Sequence, residues 1–252
     1  MGISLLNHNK KSTAVLSAVL IILIAILLFL LISPFYNVYR VNHQLDNKIT
    51  NELRESCLFD DFQSGKSICF LGDSITVGKV TGGIPWYQPL TPYINGPVSN
   101  YATSGWKIKD LIDHSDEIPA AEIYVIAIGI NDIVFSESVN AAKSADEFVG
   151  YSEELSKILK NIVPNATIYY IAPWTFTDTN ENVYARAEDY RNALADYCDK
   201  FGCIFINPVP YITSAMEKEG TEKYMNDYLH PNSPDGIGLY SYAVLKAAHD
   251  LV

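Results

Sequence analysis

Cysteine is scarce in this chain, four residues in 252, and none stands before Cys57. A lipid-modified N-terminal cysteine is thereby excluded. The spacing of Cys57, Cys69, Cys198 and Cys203 matches neither a disulfide framework nor a zinc pattern. Cys69 and Cys203 each lie in an apolar run, where a thiol behaves as a small buried hydrophobe. Positive charge is also short, with 18 Lys and Arg against 29 Asp and Glu. Lys10 and Lys11 precede every acidic residue, so 16 basic residues face 29 acidic ones in the rest of the chain, a net −13 there. Such a surface does not displace counterions from a phosphate backbone, which excludes nucleic-acid binding. The sequence shows no internal repeat, no low-complexity tract and no second domain.

Charge is missing altogether from Thr13 to Ser33, 21 residues that are mostly Leu, Ile, Val and Ala. At 1.5 Å per residue a helix of that length spans about 30 Å, the hydrocarbon thickness of a bilayer. A cleavable signal peptide has a shorter apolar core and a small-residue cleavage site, and neither is found here. Met1-Gly2 suggests myristoylation, but Leu6 stands where Ser or Thr is required. With Lys10 and Lys11 ahead of the run and only Arg40 close behind it, the positive-inside rule keeps the N-terminus cytoplasmic. The expectation is a single-pass protein of the plasma membrane. Residues 1–12 form a cytoplasmic tail, 13–33 a signal anchor, and everything later lies outside.

Val38, Val41, Leu45, Ile49 and Leu53 recur at spacings of three and four, which predicts an amphipathic helix. Pro34 is expected to separate it from the anchor, making 34–62 a juxtamembrane stalk. From residue 63 to 252 short apolar runs alternate with helical stretches. The strands expected are Ile68–Leu71, Val98–Tyr101, Ile123–Ile128, Thr167–Ala172 and Cys203–Ile206. Runs that are apolar on both faces belong in a covered parallel sheet. Ser144 and Glu147 form a capping box before one helix, Tyr184 to Tyr197 mark a second, and a last helix follows Gly238. This alternation predicts an α/β fold, a three-layer α/β/α sandwich with about five parallel strands. Its ligand belongs beyond the C-terminal strand ends.

Several blocks at those ends carry chemistry. Gly72-Asp73-Ser74 follows the first strand, so Ser74 starts a helix with its hydroxyl at the sheet edge; alternatively Asp73 and Ser74 only cap that helix. Of five histidines, His230 stands apart, three residues after Asp227 in a loop before the last helix. An Asp at that spacing can hold an imidazole in the tautomer that a serine nucleophile needs. Gly105, after the second strand, can present an unobstructed backbone N–H. Asn131, in Gly129-Ile130-Asn131-Asp132 after the third, can offer its side-chain amide. Either block is also compatible with ordinary turn chemistry.

Together, and in this order, the four blocks resemble the SGNH hydrolase superfamily, the GDSL esterases and lipases, over residues 63–252. The resemblance implies a flavodoxin-like fold, Ser74 as nucleophile, His230 as base and Asp227 as its orienting partner. It implies an oxyanion hole from the backbone N–H groups of Ser74 and Gly105 and the side chain of Asn131, with no metal and no organic cofactor. Tyr228 stands where many relatives carry Gly. Trp86, Tyr87, Trp106 and Trp174 fall near strand ends, where they either stack on sugar rings or pack loops. Anchored, exported relatives commonly act on acetylated polysaccharide, so the expected substrate is an O-acetyl ester of a cell-surface carbohydrate. A lipid ester, as for a lipase or lysophospholipase, and acyl transfer by the same triad are the alternatives. A silent binding module would show decay at one of these positions, and none has decayed.

Overall fold

The computed structural model describes residues 2–173 and 181–251. It divides into two units, one ending at Arg40 and the other beginning at Val41. The first unit is carried by helix α1 (Gly2–Asn42), whose stretch from Val15 is long and apolar enough to cross a membrane. From Leu16 to Ile32 its Leu and Ile side chains are exposed all round. Such a helix is fit to serve as a membrane anchor or as a signal sequence.

The expected break at Pro34 does not occur, because α1 continues through it. Proline gives up one backbone hydrogen bond there but keeps a helical φ. The expected amphipathic helix to Leu53 does not form either. After Asn42 the chain turns, with Gln44 N–H donating to Val41 O and Lys48 N–H to Leu45 O. Val41, Leu45 and Leu53 are buried within the second unit. Val38 and Val41 lie in the last turns of α1, the spacing from Val41 through Leu45 to Leu53 recorded burial, and the compact unit begins at Val41 rather than at residue 63.

That unit continues through α2 (Cys57–Gln63), β1 (Ile68–Gly72), α3 (Ser74–Val77), β2 (Val98–Ala102), α4 (Ile108–Asp113) and β3 (Ile123–Ala127). Then come α5 (Ile130–Val134), α6 (Ala145–Ile162), β4 (Thr167–Ile171), α7 (Glu181–Phe201), β5 (Ile204–Ile206), α8 (Val209–Glu219) and α9 (Asp235–His249). All strands are parallel, in the order β2-β1-β3-β4-β5, the flavodoxin-like arrangement. Strand limits agree with expectation within one residue, and α9 starts three residues before Gly238. β1 and β3 are buried at every position, as strands covered on both faces must be. Ser144 caps α6 by accepting from Glu147 N–H, while the Glu147 carboxylate accepts from Lys143 N–H.

The sheet order decides where a site can form. β1 is flanked by β2 and β3, and Gly72 is level with Ala102 on one side and Ala127 on the other. Three chain exits therefore emerge side by side at the C-terminal edge of the sheet.

Candidate active site

The β1 exit is tight for a steric reason. A Cβ on Gly72 would lie 2.2 Å from Thr76 Oγ1 and 2.4 Å from Ala127 O, so only glycine lets α3 fold back this closely. Asp73 caps α3 by accepting from Ile75 N–H at 3.0 Å, and Asn100 Nδ2 ties the helix to β2 through Thr76 O at 2.8 Å. Ser74 is thus fixed at the first helical position.

His230 reaches Ser74 from the loop before α9, its Nε2 2.9 Å from Oγ. Its Nδ1 lies 3.0 Å from Asp227 Oδ2 and 3.1 Å from Oδ1. Asp227 Oδ1 also accepts the backbone N–H groups of Leu229 and His230, at 2.8 and 2.7 Å, so the loop wraps its own carboxylate. Partial burial works to raise the Asp227 pKa. The two backbone N–H groups and the imidazole outweigh it and hold the carboxyl below its ordinary value. A carboxylate that stays ionised accepts a hydrogen bond from Nδ1–H, which fixes the tautomer that leaves an Nε2 lone pair aimed at Ser74.

Gly105 lies in the turn after β2, with φ +84° and open space where a Cβ would stand. Asn131 sits in the first turn of α5, buried, and its Nδ2 donates to Trp106 O at 2.9 Å. One hydrogen bond thereby fastens the Gly105 turn to the Asn131 turn, and the second amide hydrogen of Asn131 is left for another acceptor. Asp132 continues the fastening by accepting from Ile108 N–H and Ala142 N–H. Sequence reasoning gave Asp73 and Asp132 no part in the catalytic machinery, and burial pushes both carboxyls up to about 7. Their signal was present, since each abuts a site residue in the chain.

Two of the expected sugar-stacking residues are corrected. Trp86 is 1% exposed and Tyr87 5%, and both belong to the core. Tyr87 stacks on Phe70 with centroids 3.7 Å apart, and Trp86 packs on Tyr240 at 4.8 Å. The loop doubles back, Trp86 N–H donating to Ile75 O and Ser241 Oγ–H to Trp86 O, which turns both rings inward. Trp106 is half-buried, its ring stacked on His114 and tilted against Tyr101. Trp174 lies outside the described residues. Tyr228 is exposed beside the His230 loop.

A cleft of about 820 Å³ between α7 and α8 touches neither Ser74 nor His230. Beside those residues is a cavity of only about 10 Å³, walled by Ile75, Val80, Thr81, Ile84, Pro231 and Ile237. Chemistry, not size, selects between them, because only the second contains a serine hydroxyl hydrogen-bonded to an imidazole.

The sequence model of the GDSL-like lipase/acylhydrolase family matches residues 70–234. The structure resembles that of Axe2, an acetylxylan esterase from Geobacillus stearothermophilus, at 19% identity and a TM-score of 0.60, over 75% of this chain and 96% of that one. A structure described as a GDSL-like lipase, from Parabacteroides merdae, matches at 19% identity and 0.62, over 73% and 95%. LAE5, an alpha/beta hydrolase enzyme from the metagenome of Lake Arreo, matches at 18% identity and 0.58, over 75% and 97%. A comparison with curated proteins gives no match.

Proposed function

Since this chain belongs to the GDSL-like lipase/acylhydrolase family, we propose that it is a serine esterase that removes an acyl group, acetyl above all, from a cell-surface carbohydrate through an acyl-Ser74 intermediate. The observation that carries this is the unbroken chain from Ser74 Oγ through His230 to Asp227, at 2.9 and 3.0 Å. As Ser74 Oγ attacks the ester carbonyl, His230 Nε2 takes its proton and Asp227 stabilises the imidazolium. The backbone N–H groups of Ser74 and Gly105, with the free amide hydrogen of Asn131, receive the oxyanion. His230 returns the proton to the leaving alcohol, and water then repeats the sequence on the acyl-enzyme.

The preference for acetyl rests, like the carbohydrate, on the expectation for anchored relatives, and Axe2, an acetylxylan esterase, is in line with it. The carbohydrate no longer rests on Trp86 or Tyr87. The apolar helix α1 acts in this reading as the anchor, with Lys10 and Lys11 on the cytoplasmic side and the esterase outside.

A fluorophosphonate probe tests the nucleophile, and nitrophenyl esters from acetate to palmitate test the acyl group. Labelling that Ser74→Ala abolishes, with kcat/KM highest for acetate, is the expected result. Labelling that survives in Ser74→Ala would overturn the nucleophile, and a rate rising steadily with chain length would move the enzyme to lipid esters.

A further inference from the structure

Cys198 and Cys203 are separated by four residues in the chain, and the end of α7 brings them together. The helix stops at Phe201, and Gly202 follows at φ +73° with its N–H donating to Cys198 O at 3.1 Å. In such a left-handed helix cap the side chain three places before the cap meets the side chain just beyond the glycine. Those positions are Cys198 and Cys203, and each side chain lies within interaction distance of the other. We propose that these two cysteines are joined by a disulfide in the mature protein, a covalent staple between the end of α7 and the start of β5.

The two thiols are unequal, which sets the order of reaction. Cys198 is buried, whereas Cys203 is half-exposed and borders an open surface cavity of about 160 Å³ with Ser156, Lys157 and Lys160. The Cys203 sulfur faces the Cys198 thiol, Ser156 Oγ at 3.8 Å, the Tyr197 hydroxyl and the Lys160 ammonium. These neighbours favour the thiolate at Cys203, while the neighbouring Cys203 sulfur together with burial holds Cys198 protonated. The Cys203 thiolate attacks an external disulfide, of a small molecule or of a thiol-oxidising protein. A mixed disulfide forms and one thiolate leaves. Cys198 then loses its proton to solvent and displaces the second thiolate. Two thiols have become one S–S bond, and the external disulfide has taken up the two electrons.

Oxidant is met outside the cytoplasm, so occupancy in the cell rests on the export reading under Proposed function. The geometry can be tested independently of it. The full-length chain, purified in detergent and reduced, is equilibrated with oxidised glutathione, quenched in acid and alkylated. Trypsin cuts after Lys200, inside the staple, so a Cys198–Cys203 bond holds peptides 192–200 and 201–218 together until reductant is added. The expected result is that linked pair, with two alkylated thiols per chain in place of four and both at Cys57 and Cys69. Cys203→Ser should abolish the link, and Cys198→Ser should leave Cys203 carrying glutathione. Separate peptides alkylated at both cysteines, or Cys203 found only as its glutathione adduct in the unmutated chain, would overturn the staple. A second sample, alkylated in intact cells before lysis, reads occupancy. A link formed by glutathione but missing from that sample would refute a staple in the mature protein together with export, while leaving the esterase assignment standing.

Discussion

Replacing Asp227 with Asn tests the orientation of the base more sharply than removing it would. Asp227 Oδ1 is claimed by two backbone N–H groups, from Leu229 at 2.8 Å and His230 at 2.7 Å. In Asp227→Asn the amide oxygen would inherit those bonds, which puts the NH2 group where Oδ2 now faces His230 Nδ1 at 3.0 Å. Two donors cannot share that line, so Nδ1 must become the acceptor and the ring proton moves to Nε2. The nitrogen 2.9 Å from Ser74 Oγ then donates to the hydroxyl and no longer withdraws its proton. Locking the wrong tautomer costs about 10⁴ in kcat in an unrelated serine protease. Here the Asp227 side chain is 40% exposed, so water offers an escape in which the amide turns over. That turn gives up two backbone hydrogen bonds, each worth about 1 kcal/mol. The expected loss is therefore about 10²–10⁴ in kcat, or roughly 3–5 kcal/mol at 1.36 kcal/mol per tenfold. KM should change little, since proton transfer belongs to the transition state. The assay is nitrophenyl acetate turnover, after circular dichroism has shown an unchanged fold. A folded Asp227→Asn enzyme within about fivefold of wild-type kcat would refute the tautomer argument.

Asn131→Ala should lower kcat by about 10²–10³ through loss of one oxyanion donor; unchanged kcat in a folded variant would return Asn131 to a purely structural tie with Trp106. Trp86→Ala should cost about 3–5 kcal/mol in urea unfolding, because its ring is enclosed by Phe70, Tyr87 and Tyr240. A loss below about 1 kcal/mol would contradict its place in the core. Asp73→Asn should become more favourable relative to wild type as pH rises. Burial lifts the Asp73 carboxyl from 3.8 to about 7, so between those values the native state holds a proton that the unfolded chain releases. Wild-type stability from this group falls across that window and stays low above it, whereas Asn keeps the cap without the charge. A stability gap between the two proteins that is the same at pH 4 and pH 8 would defeat this account. Protease added to intact cells should digest the catalytic unit and leave the N-terminal tail in the membrane fraction; full protection would reverse the orientation.

The five strands were legible because each is short and flanked by turn residues, and the central ones are apolar on both faces, a pattern with few other homes in a domain of this size. The meeting of Ser74, His230 and Asp227 was legible because its hardest contact is local: Asp227 and His230 meet within one loop whatever the rest of the chain does. Parallel strands supplied the remainder, since residues just after β1, β2 and β3 must emerge at one edge. Where legibility failed, a side chain's direction depended on long-range packing. Val41, Leu45 and Leu53 repeat with helical spacing, yet what the spacing recorded was contact with a core assembled from later residues. Trp86 and Tyr87 come soon after Ser74 in sequence, but a loop that returns to Ile75 and Ser241 faces them away from the cleft. The cysteines fail in the opposite sense. Read by spacing against known frameworks, Cys198 and Cys203 meant nothing, yet Gly202 between them was visible all along. A glycine that ends a helix in the left-handed region fixes the contact between the residues four before and one after it, so the local rule for helix caps carried information that the cysteine count did not.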